Sequence, residues 1–343
     1  MIALSREYLF LAEMRSLIET RQYWELEKRL GSLDESCLLE NRELGYCLAA
    51  AWLNLHRSRK GLELTRKLLQ VYPGANDVLS HRIELLYASF LSRESRLQEA
   101  LVAAMRCVGS STALEIPKFG ALSNNCLGII YCMQGEGDLA ITQLMRTVIS
   151  YRNIGDKRGV AMSSFNLGMA YGFVGLYEQS DRFFSSAAMY YLTDGIVEEN
   201  IAVEGGRSLA ISGIGDDKRA IKMAQRALEK CRRLDNAELT GELIRVLATV
   251  YRNSRRFPEA RRLFIEAYRH ARKYKQASLV AEIHLEYGKL QNMQNEPELA
   301  KHHFKAAHKY YETIGATGWC RMIQAEEQRC NNNRQITERP VFS

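Results

Sequence analysis

Proline is scarce in this chain, with five in 343 residues, and the links between its apolar stretches are short and polar. That combination excludes long unstructured linkers. No apolar run approaches the ~20 residues a membrane-crossing helix needs, so no membrane span is expected. The eight cysteines, at positions 37, 47, 107, 126, 132, 231, 320 and 330, contain no Cys-x-x-Cys pair. Most stand among apolar helical residues, where a free thiol packs as a small hydrophobe. Catalytic signatures are missing as well. The glycines of "EGGRSLAISGIGDD" lack the lysine and the strand context of a phosphate-binding loop, and there is no Gly-x-Ser-x-Gly elbow. His302, His303 and His308 lie among lysines without the i, i+4 spacing that puts two metal ligands on one helical face. They read as a solvated basic face. Neither end shows a DNA-reading helix-turn-helix. A non-enzymatic protein without metal or cofactor is expected.

What is present supports a folded core: 46% of residues are hydrophobic and 25% charged. The opening stretch "MIALSREYLFLAEMRSL" carries Arg6, Glu7, Glu13 and Arg15 through its apolar positions. It suits an amphipathic helix better than a secretion signal, and a cytoplasmic protein is expected. Charge is uneven: residues 201–343 hold 26 basic against 17 acidic residues, and residues 1–200 hold 21 against 23. The C-terminal half is therefore expected to turn a basic surface to an acidic partner.

The dominant feature is a repeat of period forty, with units starting at 81, 121, 161, 201, 241 and 281. Position 8 reads Ala88, Gly128, Gly168, Ser208, Ala248, Gly288. Position 20 reads Ala100, Ala140, Ser180, Ala220, Ala260, Ala300, and position 27 reads Cys107, Thr147, Ala187, Ala227, Ala267, Ala307. Columns of small residues mark places where helix backbones cross closely, and a glycine's helix cost of about 1 kcal/mol is accepted there for close approach. Leu144, Phe184, Phe264 and Phe304 at position 24 fill space elsewhere. Position 15 (Ser95, Gly135, Gly175, Gly215, Arg255, Asn295) and position 35 (Gly155, Gly195, Asp235, Gly315) carry the turn signals. Each unit is thus predicted to be two antiparallel helices. Residues 1–80 hold two degenerate units, residues 81–312 the six regular ones, 313–330 a capping helix and 331–343 a disordered tail.

The small residues at 8, 20 and 27, the aromatic at 24 and the stretch "NLGMAY" from Asn166 to Tyr171 resemble the tetratricopeptide repeat. With its forty-residue period the chain resembles the long-repeat branch found in spindle-orientation adaptors, in maltose-type activator sensor domains and in bacterial peptide-sensing regulators. The tryptophan often found at position 4 is replaced by Asn124, Ser164 and Ile244. The resemblance implies an all-α, right-handed superhelical solenoid of about eight antiparallel helix pairs with a C-terminal capping helix. It also implies that positions 2, 5, 9, 12 and 13 of the first helices line a concave groove.

On that frame the groove residues are Leu122, Asn125, Ile129 and Met133, then Met162, Phe165, Asn166, Met169 and Phe173, then Leu209, and finally Arg245, Thr249, Arg252 and Asn253. They suggest an apolar floor beside a cationic shelf. An exposed row of Ile129, Met133, Phe165, Met169 and Phe173 would form a large apolar patch, which marks binding sites. Burial against neighbouring helices, or self-association, would cover the same residues. Three functions follow. The first is an adaptor or scaffold holding a protein or peptide segment, either an amphipathic helix or a peptide with an acidic end. The second is a regulatory sensor of a small signal molecule or signalling peptide. The last and weakest is nucleic-acid binding by the basic half, which lacks interleaved stacking aromatics.

Overall fold

A computed structural model describes residues 2–74, 77–234 and 236–337, which form eighteen helices with no strand among the described residues. The chain divides into two compact units, Met1–Ile130 and Tyr131–Ser343. The division falls well beyond residue 80, where the degenerate repeats were expected to end.

The first unit holds α1 (Ile2–Glu19), α2 (Tyr23–Leu30), the short α3 (Glu35–Glu40), α4 (Arg42–Asn54), α5 (Ser58–Val71), α6 (Val78–Arg93), α7 (Leu97–Leu114) and most of α8 (Pro117–Gln134). Its core gathers Met14, Leu26, Leu48, Leu68, Ile83 and Phe90. The second unit runs α9 (Gly137–Asn153), α10 (Lys157–Phe173), α11 (Tyr177–Thr193), α12 (Val197–Ile214), α13 (Asp217–Arg233), α14 (Ala237–Asn253), α15 (Phe257–Lys273), α16 (Ala277–Met293), α17 (Pro297–Thr313) and α18 (Thr317–Thr337). First helices open at 117, 157, 197, 237, 277 and 317, so the period of forty is kept and each helix begins about one turn before the repeat starts chosen from the sequence.

The turns repay the glycine count. From Ser95 onward a left-handed residue recurs every twenty positions: Ser95, Glu115, Gly135, Gly155, Gly175, Gly195, Gly215, then Arg255, Lys275, Asn295 and Gly315 all have positive φ. Asp235 lies outside the described residues. At Gly175 (φ +81°) the chain reverses so that Leu176 N–H donates to Tyr171 O at 2.9 Å and Gly175 N–H to Gly172 O at 3.2 Å, closing the end of α10. The helical glycines act differently. A Cβ on Gly168 would stand 2.9 Å from the Phe184 ring, and one on Gly288 2.6 Å from the Phe304 ring. The position-24 aromatic therefore seats directly over the position-8 small residue, which fixes how close the two helices of a pair approach. Gly206, inside α12, is packed the same way, its Cβ site 2.4 Å from Phe184.

In the second unit the first helices α10, α12, α14, α16 and α18 pack successively on one another, whereas the backbones of the second helices approach only first helices, α13 and α15 being joined through side chains by the Arg232–Glu266 ion pair at 2.8 Å. The first helices accordingly form an inner, concave layer and the second helices a splayed outer one. α18 extends to Thr337, so residues 331–337 are helical where a disordered tail was expected; residues 338–343 lie outside the described residues. All eight cysteines are free, and burial pushes the Cys47 and Cys132 thiols up to about 12. Among the described residues no helix is long and apolar enough to cross a membrane.

Candidate functional site in the inner layer of the second unit

The predicted groove residues are distributed over both units. Leu122, Asn125 and Ile129 belong to the part of α8 in the first unit, with Asn125 buried and the other two half-buried. Met133, half-buried, belongs to the second.

On α10 the apolar row is not uniformly open. Phe165 sits edge-on to Phe184, with centroids 5.6 Å apart, and packs against the core cluster of Ala161, Ala187, Tyr191 and Val203. Met162 and Asn166 are half-buried, and Met169 is the exposed member at 44%. Leu209 leans on the core of α12–α16. The expected exposed strip of Phe165, Met169 and Phe173 is therefore corrected to Met169 with its half-buried neighbours. The i, i+4, i+8 spacing puts the three on one face, but that face runs from the core boundary to the concave surface.

Phe173 meets a partner from the far end of the chain. The Trp319 ring of α18 lies edge-on to it at 4.8 Å and stacks parallel on Tyr311 at 4.8 Å. Backbone contact accompanies the rings: a Cβ on Gly318 would stand 2.2 Å from Gly135 O, and one on Gly135 2.4 Å from Trp319 N. Arg321 Nη2 donates to both oxygens of Glu136 at 2.7 Å, and Thr317 Oγ1 donates to Glu136 at 3.2 Å. Thus α18, expected as a capping helix, closes the second unit back onto the turn before α9. The two glycines permit it, because any side chain at either place would hold the backbones apart.

The cationic shelf is also revised. Arg245, Thr249 and Arg252 are buried, and the charges of the two arginines are matched within the inner layer. Arg245 donates to Glu242 and lies 3.3 Å from Glu282. Arg252 donates to Glu286, to which Lys289 also donates at 2.8 Å, while Asn253 Nδ2 donates to Ser212 Oγ at 3.0 Å. Burial works against ionisation of Glu286, yet Arg252 and then Lys289 hold it well below the usual carboxylate range. Glu282 differs: burial, with Glu242 and Glu286 beside it, pushes it up to about 7 against the pull of Arg245. The layer sets three carboxylates, Glu242, Glu282 and Glu286, against three cations, Arg245, Arg252 and Lys289, and Glu282 is the least closely held of the three.

Sequence reasoning missed Glu136, Glu282, Glu286 and Trp319. Glu282 stands at groove position 2 of its unit and carried a usable signal; Glu286, one helical turn on, lies off the groove positions. Among the described residues no three His, Cys, Asp or Glu side chains are grouped to hold a metal ion.

No protein-family model matches the sequence, and no curated protein matches it. Solved structures share the fold. A Rap protein complexed with competence and sporulation factor aligns over 96% of this chain and 98% of its own, with TM-score 0.66 and 11% identity. NprR in complex with its cognate peptide NprX aligns over 88% and 90%, with TM-score 0.62 and 12% identity. A tetratricopeptide repeat protein from Parabacteroides merdae aligns over 89% and 99%, with TM-score 0.50 and 13% identity. The fold is that of tetratricopeptide-type helical arrays, as the repeat columns imply.

Proposed function

We propose that the inner layer of the second unit captures a peptide segment carrying a cationic group beside apolar side chains, and that the protein is a peptide-binding adaptor or sensor. The observation that carries the reading is the placing of Glu282: its carboxylate, about one-third exposed on the inner layer, has Arg245 at 3.3 Å, and that arginine is held more closely by Glu242. A ligand cation would supply what Arg245 alone does not. Met169 and Met162 offer adaptable apolar contact for a neighbouring side chain. The likeness to Rap and NprR structures solved with a bound factor or peptide lends support of a coarser kind. An acidic peptide fits less well, since Arg245 and Arg252 already have carboxylate partners. Within this reading the closure by α18 favours the sensor, because a ligand that changes the spacing of the inner helices acts on the α18 contact as well.

The test is fluorescence-polarisation binding against a library of short labelled peptides varied in charge. Cationic, partly apolar peptides should bind the wild-type chain, Glu282→Gln should weaken them about tenfold, and Met169→Ser should weaken them without altering the melting curve. If Glu282→Gln binds the same peptides as tightly as wild type, the charge assignment fails. Absence of any peptide ligand in the library would remove the peptide reading itself.

A further inference from the structure

A second site lies in the outer layer, away from the concave face. The backbones of α15 and α17 stay apart, and between them over α16 lies a cavity of about 380 Å³ lined by Phe264, Tyr268 and Arg269 of α15, His284 and Tyr287 of α16, and His303 of α17. The two histidines that line it are not repeated at the equivalent positions of the other regular units. The positions equivalent to His284 hold Asn124, Ser164, Glu204 and Ile244, and those equivalent to His303 hold Gln143, Phe183, Met223 and Leu263. Histidine occurs at neither place in any other unit from 81 onward. His303, expected on a solvated face, instead turns inward.

Its rings form a continuous wall. Tyr268 lies edge-on to His284 at 5.6 Å, His284 is tilted against His303 at 5.2 Å, Tyr287 stands edge-on to His303 at 4.8 Å, and Phe264 edge-on to Tyr287 at 5.8 Å. The two imidazoles share a hydrogen bond, Nδ1 to Nδ1, at 2.9 Å. One Nδ1–H must donate to the other Nδ1, so one ring keeps an Nε2 acceptor and the other an Nε2–H donor. Burial, with the adjoining histidines, holds His303 down to about 4 and lowers His284 too, so the pair is neutral at neutral pH. No carboxylate lines the cavity. The one full charge at its edge is the exposed Arg269 guanidinium.

We infer that this cavity binds a flat aromatic carboxylate of one or two rings, its ring against the Tyr268–His284–His303–Tyr287 wall and its carboxylate toward Arg269. The volume sits at the small end of ligand sites, about 300–1,000 Å³. Ring-on-ring contacts favour a flat aromatic over an aliphatic of equal size. Arg269, the one charged side chain among lining residues that include no carboxylate, favours an anion. The same chemistry is offered by a free aryl acid and by the aromatic C-terminal residue of a peptide.

The experiment follows the His284 and His303 ring signals by NMR while the full chain is titrated with 2-naphthoate, 2-naphthamide and N-acetylphenylalanine. Naphthoate should move both signals and bind about fivefold more tightly than the amide, the weight of one exposed ion pair. Arg269→Gln, at an exposed position, should erase that fivefold preference. His303→Leu, which installs the residue of the equivalent Leu263 position, should abolish binding with helicity unchanged. N-acetylphenylalanine binding more tightly than naphthoate supports the site with a chain terminus as its source, and the reverse order supports it with a free acid. Histidine signals unmoved into the millimolar range, or equal affinity for acid and amide in the wild-type chain, overturn the proposal.

Discussion

Two stretches of the same inner layer, α10 on one side and α14 with α16 on the other, obey the same repeat frame yet satisfy their groove-lining side chains in opposite ways. On α14 and α16 the polar groups are answered locally: Arg245 by Glu242 and Glu282, Arg252 by Glu286. On α10 the apolar row is answered from three directions. Phe165 goes to the core, Phe173 to Trp319 across the closure, and Met169 stays exposed. An inner-layer position therefore specifies depth in the array and not availability to a ligand. Availability depends on whether the next repeat, or the last helix, supplies a partner.

The charged side should be the more costly to break. Glu286 stands between Arg252 and Lys289 with 13% of its side chain exposed, so Glu286→Ala leaves the buried Arg252 and the half-buried Lys289 without their carboxylate. A loss of about 3–5 kcal/mol in unfolding free energy is expected, read from urea denaturation. A loss below ~1 kcal/mol would mean that water enters the network freely, and the contrast with α10 would collapse.

The closure is next in size and sharpens the α10 side. Gly318→Val places atoms where Gly135 O stands, and neither backbone can yield cheaply. A destabilisation of about 1–3 kcal/mol is expected from the inserted bulk. It should come with a red-shifted Trp319 emission and a larger radius in solution scattering, at nearly unchanged helicity. Trp24 and Trp52 contribute a background that a Trp24→Phe/Trp52→Phe chain removes. Scattering and emission identical to wild type would show that Gly318 is not needed for the contact.

Much of the fold was legible because it is local. Gly168 and Phe184 lie sixteen positions apart, within one helix pair, and small-residue columns follow directly from close crossing. The left-handed residues every twenty positions are equally local, and glycine or asparagine at several of them announces the turn. The site was less legible for the same reason inverted. Arg245 finds Glu282 and Arg252 finds Glu286 only when the following repeat is stacked, and Glu136 finds Arg321 185 positions on. Periodicity identifies the layer a residue occupies, but it carries no information on contacts made by closing an array on itself. His303 illustrates the point: on its own helix it belongs to a lysine-rich face, and its partner His284 comes from the helix before.

The smallest effect tests the charged side from within. Glu282 and Glu286 are one turn apart on α16, yet their acidities move in opposite directions. Burial raises Glu282 to about 7, above an unfolded value of about 4.3. Folding then favours its protonated form, so its stabilising contribution is full below the ordinary carboxylate range and is lost as pH rises through about 7. For Glu286, where Arg252 and Lys289 overcome burial, the contribution is present above the ordinary range and lost as pH falls. Glu282→Gln, neutral at every pH, should thus match wild type near about pH 4 and become the more stable of the two by about pH 8. Glu286→Gln should be the less stable chain at neutral pH and converge on wild type upon acidification. Urea midpoints across that range separate the two. If Glu282→Gln is less stable than wild type at about pH 8, the pairing with Arg245 outweighs burial. The carboxylate is then not short of positive charge, and the charge contrast between Glu282 and Glu286 disappears.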